Sequence, residues 1–403
     1  MKKFSLILFI LLAASGVARP QKIDKEQVNV SAFARNSHLL NGLNIYGNLA
    51  QTHDCATAGF SFGVNTNPSD DNWYAWAYNF PHYGLGVSYS NMGSIRCVPG
   101  SFLGDAYTLF GYSHFDLLRA RYFSLGTNVE LGLSYMTKKW NAQTNPLNYY
   151  VGSSVLVMVG VGLEAAFNIT PRWEAGLNAT VTHRSNGMLR TPNFGLNELA
   201  LGLFARYNLS DRYLGKRGAA PLRPDFKRWN YDVYFSAGVH SCDAERGVYL
   251  DKVLQEGEEN RWGSFRPWLR LNLGAEVSYR YHPVFATGVG VDMSYTENWR
   301  RLAEYWELTH DGEKTSTCPV YVGAYLQQSF YYRNVEVGIG LGVYLFKKLG
   351  IEDSKWNYQR ALIRYHFPKA GGGYSSGLPC VRTASTALTR WSSLSERDSE
   401  NYC

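Results

Sequence analysis

The sequence predicts an all-β protein, an antiparallel transmembrane β-barrel of about 12–14 strands. Three observations predict it: strand-length segments that alternate apolar and polar residues, connections that alternate between short and long, and a composition that is 15% aromatic but only 18% charged. The mean hydropathy of -0.27 is too low for helical membrane spans. An outer-membrane barrel averages near this value because one face of each strand is apolar and the other polar.

The first residues predict export. Met1-Lys2-Lys3 precede an apolar run over residues 4–14, and small residues follow up to Ala18. This is the pattern of a secretory signal peptide, and its apolar run is too short to span a bilayer. We therefore assign residues 1–18 to a signal peptide.

The strands are most regular over residues 83–367, which we assign to the barrel. In residues 123–136, for example, Leu131 and Leu133 share one face while Asn128 and Glu130 occupy the other. So many long strands with a polar second face favour a closed barrel with a polar lumen over a soluble sandwich. Residues 19–82 form a lead-in with one or two early strands.

The alternation stops after Phe367, and residues 368–403 are rich in Gly, Ser, Thr and Arg. Two interpretations of this tail stay open: a disordered periplasmic segment, or an aberrant end from which a closing hairpin has been lost. The six cysteines lack CxxC or Cys/His spacing, so no metal site is expected, and a Cys242–Cys318 disulfide is conceivable.

The net charge of +7 is modest and fits either attraction to anionic lipid headgroups or solvated loops. The basic residues form no stripe interleaved with aromatics, so no nucleic-acid partner is expected.

The candidate chemistry lies in Thr182-His183-Arg184-Ser185-Asn186-Gly187. His183 and Ser185 are two residues apart, so on a strand both side chains leave the same face, as proton transfer from a serine to an imidazole requires. Odd-numbered residues from 173 to 181 are apolar, which places this pair on the lipid-facing side. The strand follows a tight connection and precedes a longer one, so the pair is expected at its extracellular end.

The segment from Asn145 to Tyr207 resembles the lipid A 3-O-deacylase (PagL-like) and acyloxyacyl hydrolase family of outer-membrane β-barrels. The resemblance rests on a His-x-Ser-Asn run at a strand end and a following Pro-Asn-x-Gly turn. The matching residues are His183, Ser185, Asn186, Pro192, Asn193 and Gly195. It implies the outer membrane of a Gram-negative bacterium as the location, and lipid A or lipopolysaccharide as the partner; a homodimer is compatible with it.

The third catalytic residue departs from the family. The glutamate of the family aligns, by unbroken spacing, with Asn197 of this chain. The nearest glutamate here is one place later, at Glu198. The apolar positions of the following strand are odd-numbered, so parity puts Asn197 on the face of His183 and Glu198 in the lumen. Glu198 stays a second choice, because a bulge near Gly195 would shift the register.

The resemblance implies a carboxylic ester hydrolase that removes an ester-linked 3-hydroxyacyl chain from lipid A without metal or organic cofactor. His183 would be the general base and Ser185 the nucleophile, and Asn197 would orient the imidazole. The Asn186 side chain and backbone N–H groups around Gly187 would form the oxyanion hole. Pro192, Asn193 and Gly195 are interpreted as turn residues. The alternative is a non-catalytic barrel, porin-like or structural, with a decayed deacylase site.

Overall fold

The computed structural model describes the chain in ten segments, and the predicted signal peptide lies outside them. The segments are residues 28–40, 54–66, 72–95, 101–141, 143–211, 220–242, 267–309, 312–349, 356–366 and 375–382. They fall into two compact units, one that holds the first eight strands and one that holds the last seven. None of the helices among these residues is long and apolar enough to cross a membrane.

The first unit is a closed antiparallel barrel of eight strands. The strands are β1 (Val28–Leu39), β2 (Asp54–Asn65), β3 (His82–Ser90), β4 (Ala106–Arg119), β5 (Phe123–Met136), β6 (Val155–Asn168), β7 (Trp173–Ser185) and β8 (Leu196–Asn208). Each pairs with the next along the chain, and β1 closes the ring on β8 with Ala32 opposite Ala205. A short helix, α1 (Trp73–Ala77), precedes β3.

Alternation along each barrel strand separates an apolar outer face from a polar interior. In β6, Val157, Val159 and Val161 are exposed on the outside, whereas Met158 and Glu164 are buried inside. Strands expose apolar residues on one face in this way when that face contacts lipid instead of water.

Ion pairs fill the barrel interior. Arg35 of β1 contacts Glu130 of β5 at 3.0 Å, which joins strands on opposite sides of the ring. Arg206 of β8 contacts both Glu164 at 2.7 Å and Glu174 at 3.1 Å. These buried charges are therefore paired, as charges removed from water must be.

The two ends of the barrel differ. At one end, tight turns at residues 120–122 and 169–172 join β4 to β5 and β6 to β7, whereas residues 66–81, which include α1, join β2 to β3. The connections at the other end are all longer than these two tight turns. At the long-loop end a small hydrophobic core packs beneath the loops. It consists of Leu39, Cys55, Met92, Ile95, Leu103, Ala106, Met136, Val151, Leu156 and Leu196. The described loop residues at this end, which include Met92, Ile95, Leu103 and Val151, are thus held in a packed cluster.

The second unit is an antiparallel sheet of seven strands. The strands are β9 (Trp229–His240), β10 (Trp268–His282), β11 (Phe285–Thr296), β12 (Val320–Tyr332), β13 (Val335–Phe346), β14 (Asn357–His366) and β15 (Ser375–Arg382). A helix, α2 (Glu297–Thr309), joins β11 to β12, and Arg301 of that helix stacks 4.2 Å above the Trp268 ring.

The all-β antiparallel barrel architecture predicted from the sequence is confirmed. The strands that form the closed barrel are, however, different from those predicted. The closed ring spans β1 to β8 and includes both early strands of the lead-in assigned to residues 19–82, while the strands from Trp229 onward form a separate sheet. Residues 83–367 are therefore not one barrel. The physical reason is that the hydrogen bonds of β1 are satisfied by β8, which closes the ring early.

Two smaller expectations also need correction. Ser375–Arg382, in the tail expected to lack strand structure, pairs with β14 as β15. Cys242 and Cys318 are not joined to each other in the structure, so the conceivable disulfide is not formed.

Candidate active site

The hairpin of β7 and β8 brings the sequence-predicted residues to the long-loop end of the barrel. β7 ends at Ser185, β8 begins at Leu196, and His183 lies directly opposite Asn197 in the register. Directly opposed residues of an antiparallel pair share one face of the sheet. His183, Ser185 and Asn197 are all half-buried and lie on the outer face.

Asn197 fixes the orientation of the imidazole. His183 Nδ1 lies 2.7 Å from Asn197 Oδ1. An amide oxygen only accepts, so this hydrogen bond requires the proton on Nδ1 and makes Nε2 the nitrogen that carries the ring lone pair. The contact thus selects the tautomer that a general base needs.

Glu198 lies on the opposite face of β8. It is opposite Thr182 in the register, and its carboxylate is ion-paired with Arg184 in the barrel interior, where both side chains are almost completely buried. The register runs unbroken through this position, so no bulge brings Glu198 across. Glu198, the second choice for the third catalytic residue, therefore pairs with Arg184 inside the barrel and not with His183.

Ser185 accepts two hydrogen bonds at its hydroxyl oxygen. The Gly187 backbone N–H donates to Ser185 Oγ at 2.9 Å, and Asn193 Nδ2 donates at 3.2 Å. Asn193 Oδ1 in turn accepts from the Asn186 N–H at 3.0 Å. Donors that point at a hydroxyl oxygen stabilise negative charge on it, so this pattern favours loss of the Ser185 proton.

Asn193 is the residue whose role the sequence interpretation missed. It was interpreted as part of a turn, whereas it is buried and its side-chain amide bridges Ser185 and Asn186. The signal that pointed to it was its place in the Pro-Asn-x-Gly run. Its contacts depend on the loop folding back over the strand end, which periodicity does not encode.

Gly195 also does more than end a turn. Its φ of +72° is in the left-handed region, and a Cβ added there would lie 2.9 Å from His183 Cε1 and 3.3 Å from Ser185 Cβ. His183 and Ser185 therefore both lie next to this glycine. A side chain at position 195 would push against the imidazole as well as strain the backbone.

The residues predicted to form the oxyanion hole, Asn186 and Gly187, directly follow Ser185 at the end of β7. The Asn186 side chain is only 5% exposed, and its backbone N–H is bonded to Asn193. The Gly187 N–H, at a φ of +65°, donates to Ser185 Oγ. The Asn193 amide and the Gly187 N–H are thus two donors that converge on the Ser185 hydroxyl oxygen.

Neighbouring loop segments support the β7–β8 connection. The Phe194 N–H donates to the Tyr149 carbonyl at 3.2 Å, and the Phe194 ring lies 6.3 Å from those of both Tyr149 and Tyr150. The fully buried Asn148 donates to the Phe102 carbonyl and accepts from the Val151 N–H. The loop is thereby packed on its neighbours.

Apolar side chains surround the site on the barrel exterior. His183 is opposite Val159 and Ser185 is opposite Val157 in the pairing of β7 with β6. Both valines are exposed, as are Val181 and Leu199 on the adjoining positions of β7 and β8. Polar side chains in such a surface cost free energy because lipid cannot solvate them. Their presence there therefore indicates a functional site.

A closed barrel with an apolar exterior and a polar pair at one rim defines the class of outer-membrane β-barrel proteins. The comparisons with known proteins agree with this class. Residues 56–208 match the family described as lipid A 3-O-deacylase (PagL), and residues 229–372 match the acyloxyacyl hydrolase C-terminal domain. These two consecutive matches show that the chain resembles lipid A 3-O-deacylases and acyloxyacyl hydrolases along residues 56–208 and 229–372.

Three of the solved structures that the chain matches have low sequence identity and low TM-scores. The neisserial surface protein A is 12% identical, with 45% of this chain and 97% of that chain covered and a TM-score of 0.30. The outer membrane enzyme PagL is 14% identical, with 45% and 99% covered and a TM-score of 0.28. The N-terminal barrel domain of Pseudomonas aeruginosa OprF is 13% identical, with 44% and 97% covered and a TM-score of 0.25. No curated protein matches the sequence significantly.

The family fixes the broad activity and the location. The protein is a hydrolase of the deacylase type, and it resides in the outer membrane of a Gram-negative bacterium, which confirms the predicted location.

Proposed function

We propose that the protein is a serine esterase that removes an ester-linked 3-hydroxyacyl chain from lipid A. The observation that carries the proposal is the pairing of His183 Nδ1 with Asn197 Oδ1 at 2.7 Å, on the same outer face as Ser185. This gives a nucleophile, a base and a residue that orients the base, at the rim of a surface that contacts lipid.

Each catalytic group has a defined task. Ser185 Oγ transfers its proton to His183 Nε2 and attacks the ester carbonyl carbon, which gives a tetrahedral intermediate. The imidazolium then gives the proton to the departing sugar oxygen, so the C–O ester bond breaks and Ser185 carries the acyl group. Water, deprotonated by His183, then attacks that acyl group. The acyl C–Oγ bond breaks as the imidazolium returns its proton to Ser185 Oγ, and the 3-hydroxy fatty acid leaves.

The location of the site favours a substrate that is itself a membrane lipid. Val157, Val159 and Leu199 leave an apolar surface beside His183 and Ser185. Acyl chains of a lipid can lie along such a surface while the ester stays at the rim. Lipid A carries its ester bonds at this boundary between acyl chains and headgroup, which supports it as substrate.

The non-catalytic alternative has two forms, a porin and a structural barrel with a decayed site. The porin has less support. Arg35 with Glu130 and Arg206 with Glu164 occupy the interior of the first barrel, where an open pore would need water. A structural barrel with a decayed site differs from the proposal only in lacking turnover, so an experiment on Ser185 separates the two.

Reaction with a long-chain alkyl fluorophosphonate tests the proposal directly. We expect one phosphonyl adduct, on Ser185, when the protein is folded in detergent or liposomes, because only a serine activated by a base reacts quickly. Ser185→Ala should abolish the adduct, whereas Ser153→Ala, which removes a half-buried serine at the same end of the barrel, should leave it unchanged. A folded wild-type protein that forms no adduct would favour the decayed site.

Asn197→Asp is expected to raise kcat/KM on the order of tenfold to a hundredfold. Asn197 Oδ1 already sets the tautomer of His183, and the isosteric carboxylate would add a charge that stabilises the imidazolium. The measurement is release of 3-hydroxy fatty acid from lipid A by the purified variants. Asn197→Leu is the control and should lose activity, and equal rates for all three residues would show that position 197 does not orient the base.

A further inference from the structure

The strands of the second unit are long enough to span a membrane. β9 to β13 contain 12, 15, 12, 13 and 12 residues. A tilted membrane-spanning strand needs about 9–11 residues. The strands of this sheet are therefore long enough to cross the bilayer.

One face of this sheet is apolar and exposed along most of its strands. On β9 to β13 it displays Tyr231, Val233, Phe235, Leu269, Leu273, Val289, Val291, Leu326, Ile339, Leu341 and Val343. A patch of this extent is far larger than isolated surface apolar residues, and in a strand-built protein it fits the acyl chains of a bilayer.

The other face is a buried network of charged and hydroxyl groups. Glu276 accepts a hydrogen bond from Tyr325 at 2.9 Å, and Arg360 contacts Asp292 at 3.3 Å. Glu336 accepts from Ser329 at 2.7 Å. This is the arrangement seen in the interior of the first barrel, where paired charges fill the space that the strands enclose.

The sheet curls until its two sides meet through this network. Arg360 of β14 donates to the Tyr234 hydroxyl of β9 at 2.6 Å, and Arg364 of β14 lies 3.3 Å from Asp232 of β9. Four strands lie between β14 and β9 in the sheet order. Contacts across that interval require a curvature close to that of a closed ring.

Among the strands that the structure describes, β9 and β15 form the two edges of this sheet. Val233 on β9 is 81% exposed, whereas Leu273 on the neighbouring β10 is 47% exposed, as expected for a strand with a neighbour on one side only. Within lipid an open edge leaves N–H and C=O groups with no water to bond, so open sheets do not persist there.

We propose that the second unit is a second membrane-embedded barrel, covered by bilayer acyl chains on its apolar face and closed by pairing of β15 with β9. Residues 375–382 of the same chain would thus pair with the outer edge of β9. β15 is short and contains Pro379, which has no N–H to donate, so this seam has fewer hydrogen bonds than the others.

Disulfide cross-linking in outer membranes tests the closure. Cys380 lies opposite Ala361 in the register, and Ala361 is exposed. Cys380 would be kept as a single native thiol, with the other cysteines replaced by alanine, and combined in turn with Tyr231→Cys, Val233→Cys or Phe235→Cys. We expect an intramolecular disulfide from Cys380 to at least one of these β9 positions after oxidation.

Two controls keep the test decisive. Ala361→Cys should link to Cys380 because β14 and β15 already pair, and Val291→Cys, on the outer face of β11, should not link. The proposal is overturned by a disulfide-linked dimer, which would put a second copy at the β9 edge. It is equally overturned if no β9 position links, or if Ala361→Cys fails to link, since β15 would then not lie at the seam.

Thiol labelling tests the lipid contact. Leu341→Cys, on the exposed apolar face, should react with a membrane-soluble maleimide and at least tenfold more slowly with a charged one. Lys314→Cys, on the exposed segment after α2, should react readily with the charged reagent. Equal reaction of both cysteines with the charged maleimide would place this face in water and contradict the proposal.

Discussion

Replacing His183 by alanine is expected to lower the rate of lipid A deacylation by about a thousandfold or more. The imidazole is the group that takes the Ser185 proton, and its Nδ1 is already bonded to Asn197. The measurement is release of 3-hydroxy fatty acid by purified protein, with substrate at saturating concentration so that kcat is compared.

The matched control is Val181→Ala. Val181 lies on the outer face of the same strand, two residues before His183, and is exposed. Its truncation alters the lipid-facing surface but removes no proton acceptor, so kcat should stay within a few-fold of wild type. Similar losses for both variants would mean that the outer surface, and not the imidazole, limits the reaction.

Replacing Arg206 by methionine is expected to destabilise the first barrel by about 3–5 kcal/mol, since it leaves two buried carboxylates without their cation. Arg206 lies 2.7 Å from Glu164 and 3.1 Å from Glu174, and all three side chains are at most 5% exposed. Unfolding in urea, followed by the difference in electrophoretic mobility between folded and unfolded barrel, measures the change.

Arg172→Met provides the comparison in the same unit. Arg172 contacts Asp211 at 2.8 Å, but both side chains are more than half exposed. Exposed ion pairs contribute little to stability, so its unfolding midpoint should equal that of wild type within error. Equal midpoints for Arg206→Met and Arg172→Met would show that the interior network does not hold the barrel together.

Strand parity carried much of the structural prediction. Because side chains alternate strictly along a strand, the apolar odd-numbered residues of β7 and β8 were enough to place Asn197 beside His183 and Glu198 in the interior. The same alternation could not say which strands close a ring. Closure depends on hydrogen bonds between β1 and β8, which lie far apart in sequence, and both units share the same alternation.

The loop contacts of the site were beyond sequence reasoning. Asn193 and Gly195 read as turn residues because Pro-Asn and Gly are common in turns. Their contacts with Ser185 and His183 arise only when residues 193–195 fold over the strand end and pack against Tyr149. Such contacts follow from tertiary packing and leave no periodic signal.

Mass spectrometry of lipid A from cells that express the wild-type protein or Ser185→Ala tests the central claim most directly. Both proteins must first be shown to be folded in the outer membrane. The proposed esterase predicts loss of the mass of one 3-hydroxyacyl group from lipid A in the wild-type cells only. Lipid A of unchanged mass in cells with correctly inserted wild-type protein, or the same mass loss with Ser185→Ala, would contradict it.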